Sequence, residues 1–208
     1  MPIYLSNKLL SELQEQTESF LNKAISEWQL LRHSQFGYKA SPEKWSATQC
    51  IEHLNSYGRF YLPEMEKAIN KAKVKSWEPA THFKSGWLGN YFTKLMMPVK
   101  DGSVGKKMSS PKDHYPTSNA DSYKVIAEFI EQQEQLLQLL DAAQSIDLNK
   151  ATCAISISKL VKLKLGDTFL FYIVHQYRHI LQAERALKVA NVVTGTSIIE
   201  FDLNKLVR

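Results

Sequence analysis

Apolar side chains return every three or four positions through the N-terminal part of the chain, at Leu9, Leu13, Thr17, Phe20, Ala24, Trp28 and Leu31. Successive helical residues are rotated by about 100°. These side chains therefore form one stripe, which a stable fold must bury against another element. The stripe starts after Ser6, a good N-cap residue, and closes near Gly37. A second helix announces itself at Ser46-Ala47-Thr48-Gln49. There the serine oxygen can accept from the Gln49 amide while the Gln49 side chain reaches back. Trp45 precedes it, ready to pack on the first turns, and the pattern runs to about Lys73, with a kink expected at Pro63.

The helical pattern then fails from about residue 74 to 117, where Pro79, Pro98, Pro111 and Pro116 alternate with Gly86, Gly89, Gly102 and Gly105. Residues Trp87 to Met97 can form a short helix inside this stretch. Trp77, Phe83, Trp87, Tyr91, Phe92, Met96 and Met97 load it with apolar surface, so part of it should fold over the helices and wall a pocket. A third helix is expected from Ser118-Asn119-Ala120-Asp121, with Ile126, Phe129, Ile130, Leu136, Leu137 and Leu140 on its apolar face. A fourth runs from about Gly166 to Ala190. Thr152 to Leu160 and Val192 to Phe201 read as extended, too little for a β domain. The fold class is all-α, a four-helix bundle with one long crossover between helices two and three. It occupies residues 1–190, and 191–208 form a C-terminal tail.

The chain has 208 residues, 44% hydrophobic and 23% charged, a balance suited to one domain with a sizeable core. Two cysteines, Cys50 and Cys153, without a CxxC motif, exclude a disulfide framework. With no apolar span long enough for a bilayer and no signal-peptide pattern in Met1 to Leu10, a cytoplasmic location without membrane association is expected. Of the 26 basic residues, ten lysines (67, 71, 73, 75, 84, 94, 100, 106, 107 and 112) crowd one segment that holds only two acids, Glu78 and Asp101. Such a segment can draw an anionic ligand or serve as a solvated face. It contains no arginine, and the chain shows no helix–turn–helix pattern, which argues against nucleic acid as a partner.

The chemistry-bearing residues are histidines. His175 and His179 lie one turn apart on the last helix, on a strip shared with Thr168, Tyr172, Gln182 and Ala186. The apolar strip of Leu165, Phe169, Ile173, Ile180 and Leu187 runs beside it, so both imidazoles should face inward. On the second helix the same arithmetic groups Cys50, His53, Tyr57 and Glu64, which makes His53 the third ligand of a divalent metal site. The alternative is a set of hydrogen-bonded core histidines. The motif lacks the glutamate of H-E-x-x-H, so that metalloprotease mechanism does not apply. His33, His82 and His114 fall at a helix end or in the crossover and read as surface residues. Arg178 falls on another face and reads as pairing with acidic neighbours.

Three stretches carry a family resemblance. Lys44-Trp45-Ser46-Ala47 leads to Glu52-His53-Leu54, and Gly166-Asp167 leads to His175-x-x-Arg178-His179-x-x-Gln182-Ala183-Glu184. Ser110-Pro111-Lys112-x-x-x-Pro116 lies in the crossover. In order and spacing they resemble the DinB-like (YfiT-like) proteins over roughly residues 5 to 190. The resemblance implies a four-helix bundle that binds a divalent ion through His53, His175 and His179. It also implies kinship with thiol S-transferases that use bacillithiol and with an isomerase that uses mycothiol.

Three neutral imidazoles leave positions open on an ion, where the pKa of a water or a thiol falls. Two reactions suit such a site: hydrolysis of a small substrate, and transfer of a low-molecular-weight thiol to a small electrophile, the second favoured. Nickel and zinc are the candidate metals. Tyr57, Tyr172, Gln182 and Cys50 are candidates to line the pocket, and no residue reads as a general acid or base. The rival reading is a structural or binding protein, perhaps a homodimer, whose ion is closed off by Glu64 or Cys50.

Overall fold

The computed structural model describes residues 1–98, 110–117, 119–195 and 198–206, and it is mainly helical. Four long helices dominate: α1 (Ser6–Ser26), α3 (Ala47–Val74), α5 (Ser122–Ala143) and α6 (Leu165–Val189), with a four-residue α2 (His33–Phe36) after α1. Both α1 and α3 pack against both α5 and α6. The stripe residues Leu9, Leu13, Phe20, Ala24 and Trp28 are fully buried. Trp28 lies past the end of α1, between Phe36 and Phe129, and its indole N–H donates to Glu184 at 2.9 Å.

The N-terminal end differs from expectation. Ser6 does not cap α1: its hydroxyl donates to the Ala80 carbonyl at 2.6 Å. The chain before it forms a strand, β1 (Ile3–Leu5), paired antiparallel with β2 (His82–Lys84) of the crossover. At α3 the reciprocal cap is formed as read, with Gln49 N donating to Ser46 Oγ at 3.2 Å and Ser46 N to Gln49 Oε1 at 3.3 Å. Pro63 is exposed, and α3 continues through it. The third long helix starts later than its sequence signal. Asp121 caps it, accepting from Tyr123 N at 2.9 Å and Lys124 N at 3.4 Å, while Ser118 lies outside the described residues.

Three elements complete the picture around the site. Helix α4 (Trp87–Met96) lies in the crossover and packs on α6. An antiparallel hairpin, β3 (Thr152–Ile155) and β4 (Ser158–Lys164), precedes α6 and packs on α3, with an irregularity at Ala154/Ile155. The C-terminal residues do not extend as a strand. Ile199 gives its carbonyl to Gln16 Nε2, Phe201 packs near Tyr177, and a short α7 (Leu203–Leu206) follows. Among the described residues no helix is long and apolar enough to cross a membrane.

Candidate metal centre

His53 projects from α3, and His175 and His179 from α6. One ligand atom from each lies within 4.8 Å of the others. The His53 and His175 Nε2 atoms are 3.3 Å apart, and the ring centroids of His53 and His179 are 4.5 Å apart. His53 and His175 are each only 3% exposed, while His179 sits on the more open side.

Neighbouring acceptors fix two of the three tautomers. His53 Nδ1 donates to the His114 carbonyl at 2.7 Å, and His179 Nδ1 donates to Gln182 Oε1 at 3.0 Å. Each leaves its Nε2 lone pair free to act as ligand. This is the usual arrangement around a bound metal, where the second ring nitrogen is held by a carbonyl or carboxylate. Burial lowers all three imidazole pKa values, that of His53 to about 4 and those of His175 and His179 well below the usual histidine range. Burial keeps both rings neutral, and the Nε2 atoms that meet at 3.3 Å can share one hydrogen bond or, with the His175 proton on Nδ1, turn both lone pairs to a cation. His175 Nδ1 is buried without a hydrogen-bond partner. The three buried imidazoles could therefore hold a metal ion.

The fourth ligands that the rival, closed-site reading would need are elsewhere. Glu64 pairs with Lys67 at 2.9 Å, and Cys50 is fully buried in the apolar core, where burial pushes its thiol pKa far up. Among the described residues the cluster consists of the three histidines alone.

Beside them opens a cavity of about 230 Å³. Tyr57 lines it, as do Trp45, Phe171, Phe92, Met96 and Arg178. Tyr172, Gln182 and Cys50 do not. Tyr172 is turned toward Gly58 and Gln132 in the helix core, and Gln182 acts from behind His179. Arg178 is 4% exposed on the cavity wall, its Nη1 3.5 Å from the Met96 carbonyl.

The DinB superfamily model matches residues 9–183, which include all three histidines and Gln182. The chain belongs to the DinB superfamily. No curated protein and no solved structure matches it.

The motif residues of this DinB chain divide into those that hold the imidazoles and those that hold the cavity wall. Trp45 belongs to the first group, its ring 5.1 Å from His53 and stacked at 5.9 Å over His179. His114 belongs there too and corrects the surface assignment. It is buried, packs with its ring tilted against Tyr57 at 4.0 Å, and is hydrogen-bonded to Ser56 Oγ at 3.0 Å. His33 and His82 are exposed as expected. Asp167, at the start of α6, belongs to the second group. Its carboxylate accepts from Ser85 Oγ at 2.5 Å and from Gly86 N at 2.9 Å, clamping the start of α4 to α6. Burial raises its pKa, and those two hydrogen bonds oppose the rise.

A hairpin was not read from the sequence, yet it supplies Ile155, Ile157 and Leu163 to the cavity wall. The alternation of lysine and apolar residues from Ser158 to Lys164 was the available signal.

The low histidine pKa has a consequence for the metal-free protein. An unfolded chain binds a proton at His53 near pH 6.5, while the folded one holds out to about 4. Stability is then full above pH 6.5 and lost as pH falls toward 4, by about 3 kcal/mol from this group. Denaturant midpoints of chelator-treated protein should drop over that interval, and the drop should shrink in His53→Leu. A flat profile would show that the imidazole is not held neutral.

Proposed function

We propose that the chain is a metal-dependent enzyme that transfers a low-molecular-weight thiol to a small electrophile. The observation that carries the reading is the position of the three imidazoles: they meet beside a mainly apolar cavity, with no carboxylate or thiol among the described residues to close the set. A structural ion is normally enclosed by four protein ligands, and a catalytic one keeps a position open. A divalent ion here would lower the pKa of a bound thiol or water and act as a Lewis acid.

The protein's own part is orientation and exclusion of water. The His114 carbonyl and Gln182 hold the rings of His53 and His179 in one tautomer. Trp45 and Phe171 flank the imidazoles, and Phe92 and Met96 of α4 cover the cavity from the crossover side. In this reading the four packed long helices are a four-helix bundle whose crossover is the lid of the site. The cavity suits the reactive end of a compact, largely apolar molecule. Hydrolysis of a small substrate would use the same geometry, and the family resemblance tilts the choice toward the thiol.

The test supplies bacillithiol, mycothiol, glutathione or coenzyme A with a chlorinated aromatic electrophile and follows thiol consumption. Turnover that requires the ion and disappears in His53→Ala is the expected result. Thiol-independent cleavage of an ester or amide would replace transfer by hydrolysis, and silence in both would return the chain to the structural class.

A further inference from the structure

Helix α4 fully buries only two small residues, Gly89 and Thr93. Its large apolar side chains are arranged differently. At about 100° per residue Trp87, Leu88, Tyr91 and Leu95 share one strip, and on it Trp87 is 69% and Tyr91 54% exposed. A surface helix ordinarily turns such a strip to the core and its polar face to water. In α4 the strip faces outward.

The apolar surface continues beyond the helix. Helix α4 packs on β4, and Lys164 at the end of β4 donates from Nζ to the Lys84 carbonyl at 2.7 Å, which sets the hairpin alongside α4. Near the hairpin turn Ile157 is 64% and Leu160 95% exposed. Ile157 also lines the cavity together with Leu95 of α4, so this surface borders the cavity mouth. Its charge is of one sign. The residues of β2, α4, β3 and β4 include five lysines and no acid, and Lys84, Lys94 and Lys162 are exposed. A second copy docked here about a twofold axis would set these lysines against their own kind, whereas an anionic surface neutralises them. Tryptophan and tyrosine on an outward apolar strip, bordered by lysines whose stems reach past it, are the composition of a helix that lies in a membrane interface.

We propose that α4 and the β3–β4 turn form a docking surface for an anionic lipid membrane. The residues come from two elements far apart in the chain, so no hydropathy window along the sequence reveals the surface. Docking of this kind needs no membrane-crossing helix, and none is present among the described residues. It would turn the cavity mouth beside Ile157 toward the lipid.

The test mixes the full chain with vesicles of phosphatidylcholine alone, or of phosphatidylcholine and phosphatidylserine in about equal parts, and reads the bound fraction by flotation. Binding to the anionic vesicles should be about tenfold tighter or more, and it should weaken about tenfold or more when salt rises from about 0.1 to about 0.5 M. Tryptophan emission should shift to the blue on binding, and Trp87→Phe should remove most of that shift. The double variant Trp87→Ser/Leu160→Ser changes two exposed side chains, so the far-UV helical signal should persist while binding weakens about tenfold or more. Lys94→Gln/Lys162→Gln should weaken it about as much. Absence of binding to the anionic vesicles, equal binding to both kinds, or binding unchanged in either double variant would overturn the proposal. So would a dimer of the free chain that Trp87→Ser/Leu160→Ser dissociates, since the surface would then belong to a second copy. None of these measurements involves an ion, so their failure leaves the metal reading standing.

Discussion

Replacing His179 by alanine should lower the affinity for nickel or zinc by more than about a hundredfold while the far-UV helical signal persists. Changing a group that merely orients a ligand typically costs ten- to a hundredfold, and His179 would be a ligand itself. With it gone, His53 and His175 remain as two nitrogens 3.3 Å apart, a set short of the three ligands a catalytic site normally has. The helices lose only one partly open side chain at the edge of the cavity, so their packing is retained. Gln182→Leu should fall between wild type and His179→Ala, because it removes only the acceptor for His179 Nδ1. The measurement is elemental analysis and competition titration on protein carrying no histidine tag. Wild-type protein that stays metal-free after reconstitution with either ion would sink the assignment.

A clear loss of stability is expected away from the histidines in Gly89→Ala. A Cβ at Gly89 would stand 2.2 Å from Asp167 Cγ and 2.4 Å from its Cβ. Neither element can yield cheaply, since Asp167 is buried and bonded to Ser85 and Gly86. Overpacking of this kind costs about 1–3 kcal/mol, and for a chain of this size each kcal/mol is about 2–4 °C in Tm. Gly195→Ala is the control, since its nearest new neighbour would be Glu27 Oε1 at 3.9 Å, and it should stay within about 0.5 kcal/mol of wild type. The displaced helix carries Phe92 and Met96, so ligand binding in the cavity should weaken together with Tm. A Gly89→Ala protein as stable as wild type would mean that α4 is not seated on Asp167.

Local rules made the long helices legible. The stripe of Leu9 to Trp28, the Ser46–Gln49 box and the inward strip of His175 and His179 each need only a few neighbouring residues, and each appears in the structure. What escaped depends on partners distant in the chain. The bond from Ser6 to Ala80 spans 74 residues and turns an expected cap into a tie between the start of α1 and the crossover. His114 read as a loop histidine because nothing in its own segment shows that its carbonyl meets His53, 61 residues earlier. Arg178 read as facing elsewhere because helical phase relates it to its own helix and not to α4, which brings the Met96 carbonyl to it. Cys50 shares the phase of His53 but lies one turn nearer the N-terminus, deep in the apolar core.

The three imidazoles are unequally separated along the chain. His175 and His179 close a ring of one helical turn, whereas the contact between His53 and His175 spans 122 residues. Bringing the ends of a long loop together costs chain entropy that grows with its length, and a single helical turn costs almost none. An unfolding chain can therefore keep the α6 pair long after His53 has departed. The third histidine is the one that makes an ion sense the tertiary structure, so ion affinity becomes a measure of whether α3 and α6 are docked.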